Sequence, residues 1–151
     1  MKVKREIEMT PVQIFGPANY FAMLGWVVLI AGIVMNRAWL RDKLAGTYWP
    51  LALSAGYCVA IYLGFGQSGG GFDSLPAVRQ LFTNDWALLA GWVHYLAFDL
   101  FVGAWIARDA GQSGVSRWFL IPVLPLTFLF GPAGYLLYQG FKAVLGKGAR
   151  P

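Results

Sequence analysis

Four apolar runs alternate with short polar segments along the chain, at about residues 17–35, 48–65, 86–107 and 118–141. Each is roughly 18 to 24 residues long, enough for a helix to cross a hydrocarbon core of about 30 Å. The pattern predicts an all-α, polytopic integral membrane protein: a four-transmembrane-helix bundle forming a single membrane domain over residues 1–151. Met1 to Phe15 read as a charged arm. The first run is too long for the h-region of a signal peptide and no A-x-A site follows it, so a retained span is expected. The second run is bounded by Pro50 and Gly64 and carries small residues every fourth position: Ala52, Gly56, Ala60 and Gly64. Such a stripe lets helix backbones approach closely in lipid.

The polar stretch from Gly66 to Asp85 has a flexible Gly69-Gly70-Gly71 centre with no Walker lysine after it. Within it, Leu75, Val78, Leu81 and Phe82 fall at helical spacing, which predicts an interfacial helix over 74–82. Asn84 or Asp85 is placed to cap the third span. In the fourth run, Pro122 and Pro125 are tolerable near a helix start, where amides lack intrahelical partners anyway. Pro132 lies mid-span and should kink it near Gly131 and Gly134.

Composition agrees with lipid as the solvent. The chain is 58% hydrophobic and 13% charged, against about 25% charged in soluble domains. The net charge of +5 comes from basic residues confined to the polar runs, as flanking charges meeting head groups would be. A nucleic-acid partner is not expected, because its binders carry basic residues on a polar surface. With four crossings, Lys and Arg divide seven against five in favour of cytoplasmic termini. Cys58 is the one cysteine, so no internal disulfide forms. A lone His94 argues against a protein-only zinc site, and no metal is expected.

The third run holds two ionisable residues, His94 and Asp99, near its centre. An aspartate there costs about 2.5 to 3.5 kcal/mol even on the lenient insertion scale, so an offsetting partner or a function is required. Five residues correspond to about 140° of rotation and roughly 7.5 Å of rise. The two side chains therefore point to different sides of one helix. Asp99 shares its face with Trp92, Tyr95, Gly103 and Ile106; His94 shares its own with Gly91, Phe98 and Phe101. No Lys or Arg lies within the four runs. The remaining partners for Asp99 are Tyr95, Thr127, Ser54, Asn19, a carbonyl freed at Pro132, or water. A neutral carboxylic acid in an apolar pocket is a usable general acid. The plainer alternative is an interhelical hydrogen bond, though such bonds average only about 0.6 kcal/mol.

The run Gly91-Trp92-Val93-His94, then Phe98-Asp99-Leu100-Phe101, resembles the abscisic-acid-deficient-four-like membrane proteins. So do Leu126-Thr127-Phe128-Leu129-Phe130-Gly131-Pro132-Ala133-Gly134, Ala18-Asn19 and Trp26. The resemblance covers about residues 14 to 141. It implies four membrane helices and, from the plant members, a role in forming neoxanthin from violaxanthin, the isomerisation of a carotenoid epoxide to an allene. The absence of a plastid-targeting extension leads us to expect a bacterial or cyanobacterial relative, in an inner, intracytoplasmic or thylakoid membrane. The implied chemistry needs an acid at the epoxide oxygen and a base at a neighbouring carbon, and no cofactor. Asp99 is the candidate acid and His94 the candidate base, provided the substrate spans both faces or two protomers contribute. Trp92, Tyr95, Phe98, Phe101, Trp105 and Thr127 are candidate substrate-binding residues. A lipid-facing aromatic belt is the plainer account of those rings.

Three functions compete on this reading. One is a carotenoid isomerase or a component of one. Another is a non-catalytic subunit that binds carotenoid or lipid, or packs into a homo-oligomer or larger membrane complex through the small-residue stripe. The third is a proton-coupled transporter built on Asp99 and the broken fourth helix.

Overall fold

The computed structural model describes residues 9–64, 66–67 and 69–145. Lys2, Lys4, Arg5, Phe65, Lys147 and Arg150 lie outside the described residues. Among the described residues the chain is helical without strands. Four segments are long and apolar enough to cross a membrane: Pro11–Val34, Trp39–Gly64, Asp85–Ser113 and Arg117–Leu145. Large apolar side chains cover the outside of the bundle, including Val27, Leu51, Tyr62, Leu136 and Val144. A surface of that kind requires lipid around it.

Helix α1 (Pro11–Val34) begins earlier than the apolar run because Thr10 and Gln13 form a capping box and Pro11 occupies the first turn. The expected arm therefore becomes helical at Pro11. The helix ends where Asn36 adopts a positive φ of 52°. A π-helical segment (Trp39–Tyr48) runs directly into α2 (Trp49–Gly64), so the second span also starts before its apolar run. Its basic end is paired by Arg41 and Asp42, at 2.7 Å. The short helix α3 (Leu75–Leu81) is capped by Ser74. Helix α4 (Asp85–Ser113) is capped by the Asn84 side chain, which accepts from the Trp86 and Ala87 amides, and it closes on left-handed Gly114.

Helix α4 is the central post, packing against α1, the π-helical segment, α2 and α5. Its mixture of small and large apolar residues suits burial on most sides: Ala90, Ala97, Leu100, Ala104 and Ile106 are almost fully covered. The stripe on α2 is only half used within the chain. Ala60 and Gly64 are buried, Gly64 against the start of α4, whereas Ala52 and Gly56 remain exposed.

Helix α5 (Leu120–Leu145), preceded by a 3-10 turn at Arg117–Phe119, is not straight. Phe130 leaves the helical region at φ −148°, ψ 64°, two residues before Pro132. The consequence is a fold-back rather than a gentle kink. The Phe119 and Phe141 rings lie 5.0 Å apart, although 22 residues of continuous helix would separate them by roughly 33 Å. A Cβ on Gly134 would meet the Thr127 backbone, its Cα at 2.6 Å. The two arms, residues 120–129 and 131–145, thus cross where Gly134, which has no side chain, lies against Thr127. Proline and glycine explain the break: Pro132 lacks the N–H and its ring clashes with the preceding turn.

Candidate functional site around Asp99

The tip of the α5 hairpin meets α4 at Asp99. The carboxyl is 6% exposed, in an environment of protein rather than lipid. Gly131, first residue of the second arm, makes this approach possible, since a Cβ there would collide with an Asp99 carboxyl oxygen. The Gly131 amide and the Tyr95 hydroxyl both face the carboxyl. Asp99 Oδ2 is nevertheless buried without a hydrogen-bond partner among the described residues. An unpartnered carboxyl oxygen at the bilayer's depth is costly, and it is the most polar unmet demand in the bundle.

The break in α5 frees carbonyls that must be satisfied inside the membrane. The Tyr95 hydroxyl does this, donating to the Leu129 carbonyl and lying 3.4 Å from that of Phe128. Phe128 is four residues before Pro132, so its carbonyl is the one that proline orphans. Of the partners considered for Asp99, the freed carbonyls therefore belong to Tyr95. Thr127 is fully buried and donates to the Val123 carbonyl at 2.8 Å. Asn19 accepts from the Trp92 indole at 3.0 Å and donates to the Phe15 carbonyl.

The helical wheel separates His94 from Asp99, and the structure keeps them apart. His94 faces outward, stacked on Phe98 at 4.6 Å and tilted against Tyr57 at 5.5 Å. The aromatic candidates do not form one continuous wall. Phe98 and Phe101 line a groove of about 300 Å³ beside Pro50 and Leu51. Trp92 lines another, of about 400 Å³, with Val12, Phe15 and Leu88. Trp92 also packs against Tyr95 at 5.3 Å, which connects that groove to the neighbourhood of Asp99. Trp105 sits farther along α4, against Tyr135 and Tyr138.

A second polar cluster escaped the sequence reasoning. Asp109, one helix end away from Asp99, accepts from the Tyr138 hydroxyl, from Lys142 at 2.8 Å and from Ser113 at 3.2 Å. It ties the second arm of α5 to the end of α4. The Asp109 and Ser113 pair at i, i+4 was visible in the sequence, but Tyr138 and Lys142 join it only because α5 folds back.

A family model described as ABA DEFICIENT 4-like (ABA4-like) matches residues 13–138. Neither the curated proteins nor the solved structures give a match. The matched stretch contains α4, the α5 tip and every residue of the Asp99 site.

Proposed function

The chain belongs to the ABA DEFICIENT 4-like family, and from that premise we propose that it acts on a membrane-embedded carotenoid, with Asp99 as the acid that opens an epoxide. The observation that carries this reading is the buried, unpartnered Oδ2 of Asp99. A carotenoid is about as long as the bilayer is thick. The Trp92 groove offers an apolar surface for a polyene, and the Trp92 to Tyr95 contact leads from it toward the carboxyl.

The chemistry balances within the site. The neutral carboxyl gives its proton to the epoxide oxygen as the C–O bond breaks. The carboxylate then takes the proton of the neighbouring vinylic carbon, and the C–H electron pair becomes part of the allene. Substrate and product are isomers, so one carboxyl with two oxygens can serve as acid and then as base. No step is assigned to His94, whose ring faces away from Asp99 and would contribute only from a second copy.

A second reading rests on a different observation. The Gly131 amide that faces Asp99 begins the second arm of α5, and a carboxylate at a helix N-terminus is stabilising. On this reading Asp99 caps a half-helix in a non-catalytic carotenoid-binding or complex-forming subunit.

Expression in a host that accumulates violaxanthin separates the two. With Asp99 as the acid, the unsubstituted chain yields an allenic xanthophyll and Asp99→Asn, at equal abundance, yields none. Conversion undiminished in Asp99→Asn removes the carboxyl from the chemistry. Carotenoid that copurifies unchanged with both proteins favours the binding subunit.

A further inference from the structure

We propose that α5 is a re-entrant hairpin: it enters and leaves the membrane on the same face, so the chain crosses three times and its two ends lie on opposite sides. This concerns topology alone and does not rest on the carotenoid reading.

The contacts fix the direction of every helix. One end of the bundle, at Asn84, gathers the start of α1 through Asn19 and Trp92, and the end of α2 through Gly64 and Ala87. The other end, at Ser113, gathers the end of α1, since Ile33 shares a cleft with Arg117 and Leu120. The first arm of α5 therefore starts at the Ser113 end. It rises ten residues, roughly 15 Å or half a hydrocarbon core. Its tip meets Asp99, midway along Asp85–Ser113. The second arm then descends beside the second half of α4, its Tyr138 against Trp105, until Lys142 reaches Asp109. The hairpin thus returns to the end of the bundle from which it started.

Charge supplies an independent argument. Among the described residues, the Ser113 end carries Arg37, Arg41, Lys43, Arg108, Arg117 and Lys142, while the Asn84 end carries Arg79 alone. Counting by sequence the segments before and after them, the division is eight against four. Four crossings would give seven against five. The returning hairpin thus sharpens the positive-inside bias and puts the Ser113 end and the carboxyl terminus in the cytoplasm. The amino terminus then lies outside, unlike the two cytoplasmic termini of a four-crossing arrangement. The broken backbone at the tip is tolerable at that depth because the Tyr95 hydroxyl takes up its freed carbonyls, while the Leu129 and Phe130 side chains face outward. The hairpin also brings the N-terminus of a half-helix to the bilayer centre, where membrane proteins place binding sites for polar groups.

The test is labelling of single cysteines by a membrane-impermeant maleimide, in the full chain with Cys58 replaced by Ser, in intact spheroplasts and in inverted vesicles. Met9→Cys and Asp73→Cys are expected to react in spheroplasts, and Gln112→Cys and Val144→Cys only in inverted vesicles. Val144→Cys reacting with Met9→Cys, from the same side, overturns the hairpin. For variants that fail to accumulate, epitope tags on both ends of the otherwise unchanged chain give a second readout. Protease added to spheroplasts should remove the amino-terminal tag and spare the carboxyl-terminal one. Two tags that behave alike overturn the proposal; the reverse pattern keeps the hairpin and overturns the orientation drawn from charge.

Discussion

Replacing Gly134 by alanine tests the crossing of the two α5 arms with a single methyl group. An ideal Cβ there would have Thr127 Cα 2.6 Å away and the Thr127 amide nitrogen 2.5 Å away. These are backbone atoms, which no rotamer change can move aside. Relief requires the arms to part by about 1 Å, and overpacking of this kind costs about 1–3 kcal/mol. Gly140, in the same second arm, has nothing within 4 Å of its Cβ position. Gly140→Ala should therefore gain the ordinary helix-propensity difference of about 0.8–1 kcal/mol. The pair is predicted to move in opposite directions, by about 2–4 kcal/mol in total. In a continuous helix residues 127 and 134 would be roughly 10 Å apart, and both substitutions would stabilise. The assay is reversible unfolding in mixed detergent micelles, followed by tryptophan fluorescence. Equal stabilisation by the two alanines would refute the crossing.

Three further predictions address the polar groups. Tyr95→Phe removes the hydroxyl that satisfies the carbonyls at the tip and should cost about 0.6–2 kcal/mol in the same unfolding assay; an unchanged midpoint would mean the carbonyls find another donor. Asp109→Ala leaves the Tyr138 hydroxyl and Lys142 without their shared acceptor and should cost about 2–3 kcal/mol, whereas Asp42→Ala, which breaks only the pair with the adjacent Arg41, should cost under about 1 kcal/mol. Asp99→Asn keeps an acceptor for the Gly131 amide and should leave the unfolding midpoint within about 1 kcal/mol while abolishing any conversion of a carotenoid epoxide; a collapse in stability instead would favour the capping reading.

Much of the architecture was legible in the chain because lipid imposes simple rules. Uninterrupted apolar runs of about 20 residues in a weakly charged sequence leave helices as the available structure. Boundaries were less legible, since helices extend beyond the apolar core wherever capping chemistry allows. Thr10 and Gln13 carry α1 outward, and the π-helical turns carry the second span back to Trp39. The break in α5 was marked by Gly131 and Pro132, yet its angle was not. A proline specifies that a hydrogen bond is lost, whereas the fold-back depends on Thr127 meeting a residue without a side chain seven positions later. The site followed the same division. Asp99 declared itself by cost alone, and Tyr95 was readable from its place one turn before Asp99. The Gly131 amide and the Asp109 cluster came from the returning arm, which no local periodicity encodes.

The claim on which the rest depends is that α5 doubles back and delivers its tip to Asp99. A spin-label distance between Ile121→Cys and Val144→Cys, in the Cys58→Ser protein in bilayers, reads it most directly. Adjacent packed arms place the two labels roughly 10–20 Å apart. A separation near 35 Å, the length of 23 residues of unbroken helix, would contradict it.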